Sequence, residues 1–305
     1  MNQRWTHHNE IQRLDLLLVQ RLDVTRGDAK RAIEAGHVLI NQHVARRNAE
    51  QIEPGTMIEI TGPIATADQR ILPEPDAPLY ILAHGDGWIA VNKPSGQPVH
   101  PLVWNETGTT LNAAVARYPT IQDIGEAGLR SGVVHRLDVG TTGVLLIATN
   151  SRAWRRLRNK FADRLLLKRY LALVEGKLDG EGNVRMCLSI HQHNPARVQA
   201  RPPSQHLKYQ PDGRMCDLYF RSLCKNESAS LIEIDLGTGF LHQIRAMMAA
   251  NGHPVLGDTH YNASLPAPRP MLHAKRIEFD GHIIEAPIPD DFAIAMSTHN
   301  LTASP

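Results

Sequence analysis

Residues 61–79, TGPIATADQRILPEPDAPL, hold four prolines and no sustained hydrophobic period. Proline fixes φ and lacks a backbone donor, so no long helix or central strand can pass through such a stretch. It divides the chain. The expected organisation is a module over 1–62, a linker over 63–79, a larger unit over 80–293 and a flexible tail over 294–305. A chain of 305 residues has room for both units, and 42% hydrophobic residues can fill their cores.

In the first module, RLDLLLVQRL and TRGDAKRAIEAG carry helical apolar spacing, and Gly36 stands where a helix C-cap belongs. HVLINQHVA alternates like two strands about a polar turn, and GTMIEI reads as another strand. Behind the linker, WIAVNKPSG, GVVHRLD, GVLLIATN, YLALVEG and LIEIDLGTG read as strands interrupted by a few helices. That pattern is α+β, not doubly wound. No run approaches the roughly 20 apolar residues that span a bilayer, and the polar opening MNQRWTHHNEIQRLD shows no secretory signal. The three cysteines lack metal-ligand spacing, which fits a reduced, cytoplasmic setting.

A net charge of +2 names no partner, but the charge is unevenly placed. Residues 152–169, RAWRRLRNKFADRLLLKR, carry eight Lys and Arg against one Asp, with Trp154, Leu157, Phe161 and Leu165 at helical spacing. This reads as an amphipathic helix whose outer face includes Arg155, Arg156 and Arg158. That face is either simply solvated or meets an anionic partner such as RNA.

The most unusual stretch is HRLDVGTTG, 135–143, where three ionisable side chains precede an apolar run that must be buried. If 132–138 is extended, Val134, Arg136 and Asp138 share one face and Val133, His135 and Leu137 the other. Arg136 and Asp138 then form either a structural ion pair or part of a reactive site.

The stretch resembles the signature of the RluA-type pseudouridine synthases, whose usual form is His-Arg-Leu-Asp, two variable residues and Thr-Ser-Gly. Further motifs of that family follow in order: VNKPSGQPVHP (91–101), KRYLALVEG (168–176), GTGFLHQIRAMMAANGHPVLGD (237–258) and MLHAKRIEF (271–279). The first module is similar to the S-four RNA-binding domain, on RLDLLLVQ, TRGDAKRAIEAGHVLIN and EPGTMIEI. Its residues 1–60 are electrically balanced, eight basic against eight acidic, so the likeness rests on pattern.

These resemblances imply a mixed, mainly antiparallel sheet with flanking helices, preceded by a small RNA-binding domain. They imply an isomerase that converts uridine to pseudouridine in RNA, most often large-subunit ribosomal RNA. Transfer RNA is the alternative substrate, and a non-catalytic RNA-binding assembly factor the alternative function. Asp138 is implied as the catalytic carboxylate, and such an anion suits attack at, or proton removal beside, an electron-poor carbon. It must stay ionised where water is excluded, which a fixed cation favours. Arg245 is implied as that cation, on a helix over 241–251. Tyr170 is implied as the site tyrosine, and Arg136 as the side chain that fills the gap left by an extruded base. Arg26, Lys30 and Arg31 of the small domain are implied as RNA contacts. Val139-Gly140 and Thr142 replace the usual charged pair and Ser, and Phe240-Leu241 replaces the usual Arg-Thr, removing one expected RNA contact.

Other signals are weaker. Gly237-x-Gly239 lacks the third glycine of a dinucleotide loop. His191-x-His193 with His206 has no carboxylate or cysteine at ligand spacing, so no metal and no cofactor are expected. A monomer acting on RNA away from any membrane is the expectation.

Overall fold

The computed structural model describes residues 3–22, 24, 26–62, 70–126, 128–193, 195–203 and 213–301. It divides into two compact units, Met1–Arg70 and Ile71–Pro305.

In the first unit the elements run β1 (Gln3–Thr6), β2 (Gln12–Arg13), α1 (Leu14–Leu22), α2 (Arg26–Glu34), β3 (Val38–Ile40), β4 (His43–Val44), β5 (Gln51–Ile52) and β6 (Met57–Ile60). One sheet has the order β1-β6-β3-β4, and β2 pairs with β5. Leu14, Leu17 and Leu18 of α1 and Ala29, Ala32 and Ile33 of α2 bury against Val38, Ile52 and Ile58. Gly36, at φ +74°, ends α2 in the left-handed turn that glycine adopts without strain.

The second unit holds β7 (Ile81–Gly85), β8 (Trp88–Lys93), α3 (Thr110–Arg117), β9 (Thr142–Ala148), α4 (Ser151–Ala162) and β10 (Leu167–Glu175). Then come β11 (Glu181–His193), β12 (Ala196–Arg201), β13 (Arg214–Lys225), β14 (Ala229–Leu236), α5 (Gln243–Ala250), β15 (Leu272–Phe279), β16 (His282–Glu285) and α6 (Asp290–Thr298). Their sheet has the order β12-β11-β13-β14-β10-β15-β9-β8-β7, with β16 beside β15. β9 and β15 run parallel, and the other named neighbours are antiparallel. Every residue of β9 is buried because both faces of the sheet are covered. This explains the apolar run after HRLD.

Strand alternation sorts the core by face. Ile89, Val91, Leu145, Ile147, Tyr170, Ala172 and Val174 pack with Leu111 and Val115 of α3 and Ile244, Met247 and Met248 of α5. On the reverse face, Val144, Leu146 and Ala148 pack with Leu157 of α4, and Leu171 and Leu173 pack with Phe292 of α6. One face therefore carries α3 and α5, the other α4 and α6.

Several expectations need correction. GVVHRLD is not a strand: Val133 makes only an isolated bridge to Ile147, and the neighbouring β9 donor, Leu146 N–H, goes to the His135 imidazole instead of a backbone carbonyl. Val133 and Val134 are consequently buried together rather than alternating with solvent. Leu165 lies beyond the end of α4 and is exposed. Residues 71–79 are no free linker. Ile71 and Leu79 are buried, and Gln122 clasps both the N–H and the carbonyl of Ile71 at 3.3 and 2.6 Å. The rest of the expected linker, 63–69, lies outside the described residues. Within the expected flexible tail, 294–298 instead form the second half of helix α6, and Ala295 and Leu301 are buried; residues 302–305 lie outside the described residues. No helix among the described residues is long and apolar enough to cross a membrane.

Candidate active site

Asp138 sits in the irregular segment ahead of β9, in a turn closed by Thr141 N–H donating to the Asp138 carbonyl at 3.0 Å. Lys93, fully buried at the end of β8, braces that turn. Its Nζ donates to the carbonyls of Pro94 and Gln97, both at 2.8 Å, and of Val139 at 3.1 Å. Burial lowers its pKa to about 7, with the charge of Asp138 acting in the opposite sense. Gly143 follows at φ +110°, where a Cβ would run into the Ala274 carbonyl of β15. Only glycine lets the parallel strands approach there.

The segment is held from behind as well. Leu146 N–H donates to His135 Nε2 at 2.9 Å, and the imidazole stacks on Phe161 of α4 with centroids 4.6 Å apart. The ring lies inside although part of the residue reaches the surface. Burial, then the charge of Lys168, lowers its pKa to about 3, so it accepts as a neutral imidazole. Trp154 Nε1 and Arg158 Nη1 donate to the carbonyls of Val133 and Val134 at 2.9 and 3.2 Å.

Arg245, in the first turn of α5, meets Asp138 from the opposite side. Its Nη1 donates to Asp138 Oδ2 at 3.0 Å, while Nε and Nη2 grip Asp258 at 2.6 and 2.8 Å. The side chains of Arg245 and Asp258 are 10% and 0% exposed, and that of Asp138 is 24% exposed, so the carboxylate facing the opening is Asp138. Burial opposes the charge on Arg245, but bonds and attraction from Asp258 and Asp138 outweigh it and raise its pKa. The guanidinium also lies 5.3 Å from the centroid of the Tyr261 ring. The Tyr261 hydroxyl accepts from Val198 N–H at 3.0 Å and pairs with His242 Nδ1 at 3.1 Å.

Tyr170 of β10 is buried on the face that carries α5. Alternation with Ala172 and Val174 along β10 places it there, while the facing strand β15 bulges at Lys275 opposite Arg169 and Tyr170. Burial first, and Asp138 second, raise its pKa, so the phenol remains protonated at neutral pH. The structure thus brings together Asp138, Tyr170 and Arg245, residues 32 and 75 positions apart in order along the chain (170 − 138 and 245 − 170). Sequence reasoning gave no role to Lys93, Asp258 or Tyr261. Lys93 and Asp258 stand inside quoted motifs, and that was their only signal.

The remaining candidates fall elsewhere. Arg136 is exposed two residues before Asp138. Arg155, Arg156 and Arg158 lie on α4, over the face opposite Tyr170. Arg158 is spent on Val134 and on Glu126 at 3.7 Å, and Arg156 reaches the Asp86 carbonyl at 3.4 Å. Phe240 is half-buried against the main core, not a peripheral contact position. In the first unit, Arg26 binds the buried Asp15 at 2.7 Å, Lys30 pairs with Glu34 at 3.5 Å and Arg31 pairs with Asp28. No group of three or more metal-ligating side chains occurs among the described residues; His206 and the side chain of His193 lie outside them.

The RNA pseudouridylate synthase family pattern matches residues 87–250, and the S4 domain pattern matches residues 12–58. An uncharacterized RNA pseudouridine synthase of Chloroflexus aurantiacus is 33% identical over 93% of this chain and 89% of its own length. The ribosomal large subunit pseudouridine synthase D of Nitrosomonas europaea is 35% identical over 71% of this chain and 64% of its own. Human RNA pseudouridylate synthase domain containing 4 shares the fold, with a TM-score of 0.56 over 72% of this chain and 93% of its own at 18% identity. The chain belongs to the RNA pseudouridylate synthase family, whose members are RNA isomerases, and carries an S4 domain ahead of the synthase fold.

Proposed function

We propose that this enzyme isomerises uridine in large-subunit ribosomal RNA with Asp138, Tyr170 and Arg245 as its catalytic residues. The observation that carries the assignment is the Arg245–Asp138 contact at 3.0 Å, backed by the fully buried Asp258. The relatives named for the ribosomal large subunit support that substrate. A reducing, cytoplasmic setting suits the three cysteines, which form no disulfide in the structure.

The reaction breaks the bond from N1 to C1′, turns the uracil, and joins C5 to C1′, after which C5 loses its proton to solvent and N1 takes one up, so the product is an isomer of the substrate. Asp138, paired with Arg245, meets the sugar, either attacking C1′ or taking the C2′ proton; both begin from the same carboxylate. Tyr170 offers its face to the detached base, and its protonated hydroxyl can donate to uracil. Arg136, exposed beside Asp138, fills the stack that the target base vacates; extrusion costs about a few kcal/mol. Arg26, Lys30 and Arg31 add phosphate contacts. The Lys30–Glu34 pair is exposed on both sides and weak enough for phosphate to displace, whereas Arg26 and Arg31, held by the buried Asp15 and Asp28, keep those pairs and meet phosphate with their remaining N–H donors.

Asp138→Asn changes charge with little change of shape. Release of tritium from RNA carrying 5-tritiated uridine is expected to fall to background, with the RNA Kd within about twofold of wild type, since a single carboxylate adds little to binding an anion. Substantial turnover by this variant would remove Asp138 from the mechanism.

A further inference from the structure

We propose that Arg269 and Asp291 form a clamp through which the C-terminal helix holds the catalytic turn, making both positioning residues for Asp138. The proposal rests on Asp138 being the catalytic carboxylate. Arg269 lies just before β15, and its side chain is only 6% exposed. One edge of its guanidinium takes the Asp291 carboxylate in a two-point grip, Nε to Oδ2 at 2.6 Å and Nη2 to Oδ1 at 2.9 Å. Its Nη1 donates to the carbonyls of Gly140 and Pro270, both at 3.0 Å, and of Leu272 at 3.2 Å. Nη2 also reaches Thr142 Oγ1 at 3.4 Å.

Gly140 and Thr142 flank Thr141, whose N–H closes the turn on the Asp138 carbonyl. A single planar cation therefore ties the start of α6 to a point two residues from the reactive carboxylate. The Thr142 hydroxyl is oriented in turn. Burial lowers the pKa of His273 to about 4, leaving a neutral imidazole at neutral pH. With Nε2 facing the Ala286 carbonyl, Nδ1 accepts the Thr142 hydroxyl at 2.9 Å. The Thr142 oxygen keeps a lone pair for Arg269. A lysine could not replace this arrangement, because a point charge cannot span a carboxylate and the Gly140 carbonyl at once.

The helix also has an anchor of its own. Phe292 is fully buried with Leu171 and Leu173, the neighbours of Tyr170 and Ala172 that point to the other face. The ion pair can therefore be cut without detaching α6, which separates positioning from folding. What remains uncontrolled after the cut is the aim of the turn, and a misplacement near 1 Å can cost about a hundredfold in rate.

The test is single-turnover tritium release at saturating RNA, together with RNA Kd and melting temperature. Asp291→Asn and Arg269→Lys should slow the step by about ten- to a hundredfold while Kd stays within about twofold of wild type. Asp291→Glu, which keeps the charge on a longer arm, should slow it less. Ala295→Gly weakens the same helix without touching the clamp and should keep the wild-type rate. The proposal fails if Asp291→Asn or Arg269→Lys retains full rate, if the loss lies in Kd, or if Ala295→Gly slows the step equally. Should Asp291→Asn not fold, Arg269→Lys decides, and a wild-type rate for it overturns the clamp. Asp138→Asn in parallel tests the underlying assignment separately.

Discussion

At the scale of single residues, the site is an alternation of charges, Asp138, Arg245 and Asp258, of which only the first faces the opening. A buried ion pair gives little net stability, but breaking one by removing a partner costs about 3–5 kcal/mol. Asp258→Asn should therefore be worse than its distance from the opening suggests. It leaves Nε and Nη2 of Arg245 without their anion and frees the guanidinium to swing toward Asp138. The melting temperature is expected to fall by roughly 10 °C, at about 2–4 °C per kcal/mol for a unit of this size. The single-turnover rate should fall more than tenfold, and Arg245→Lys should not restore it, because a lysine cannot hold two carboxylates in one plane. Calorimetry and tritium release on the same preparation check both, and a fully active, fully stable Asp258→Asn would remove Asp258 from the site.

At the scale of elements, α4 and α6 show what the sequence could and could not reveal. The apolar spacing of Trp154, Leu157 and Phe161 correctly marked α4 as amphipathic, and the apolar run in β9 correctly marked a buried strand. Spacing says nothing about which face of a sheet a helix will cover, so the basic side of α4 read equally as a solvated face or as a surface for RNA. Instead Trp154 and Arg158 brace Val133 and Val134 behind the reactive segment. Arg158→Ala should accordingly lower the melting temperature and turnover, whereas Arg155→Ala, whose residue is exposed, should change at most the salt dependence of RNA binding, by about one unit of slope. Equal effects would mean that α4 acts only through its charge. The motif residues Asp138, Tyr170 and Arg245 were legible because motifs survive as local strings. Arg269 and Asp291, twenty-two positions apart (291 − 269), share no local period, so nothing tied them together in the sequence, and α6 from 294 on read as loose chain. Hydrogen bonding from Arg269, against burial, holds the Asp291 carboxyl below the usual range. Its native pKa is thus below the unfolded one, near 3.9. The stabilisation is complete above the unfolded value and lost as pH falls toward the native one. The gap in melting temperature between wild type and Asp291→Asn should be constant above about pH 5 and close below about pH 4; a gap that widens in acid would contradict this sign.

At the scale of the whole molecule, the two units differ in what each must retain to fold alone. The first has its own core around Leu14, Leu18, Ile52 and Ile58. The second begins earlier than its prolines suggested. Ile71 is 1% exposed, Asn112 Nδ2 donates to the Leu72 carbonyl at 2.8 Å, and Arg117 donates to the Leu79 carbonyl at 2.9 Å. Proline keeps this segment extended without needing a strand partner, and amide side chains supply the bonds that a sheet otherwise would. A fragment of residues 71–305 should therefore unfold cooperatively at a temperature close to that of the full chain. A fragment of 80–305 should be markedly weaker. It loses burial of Ile71, about 1.5–3 kcal/mol, and strands the Gln122 and Asn112 amides at about 1–3 kcal/mol each. The longer fragment keeps Asp138, Tyr170 and Arg245 and should still release tritium from a short RNA at saturation. It lacks Arg26, Lys30 and Arg31, so its affinity for a large structured RNA should drop, with a shallower salt dependence of about 0.7–0.9 per lost phosphate contact. Denaturation of both fragments, then binding and turnover of the longer one across a salt series, distinguishes the parts of this argument. If 80–305 is as stable as 71–305, the packing of residues 71–79 contributes nothing. If 71–305 binds structured RNA with the full salt slope, the S4 unit is not where this enzyme grips its substrate.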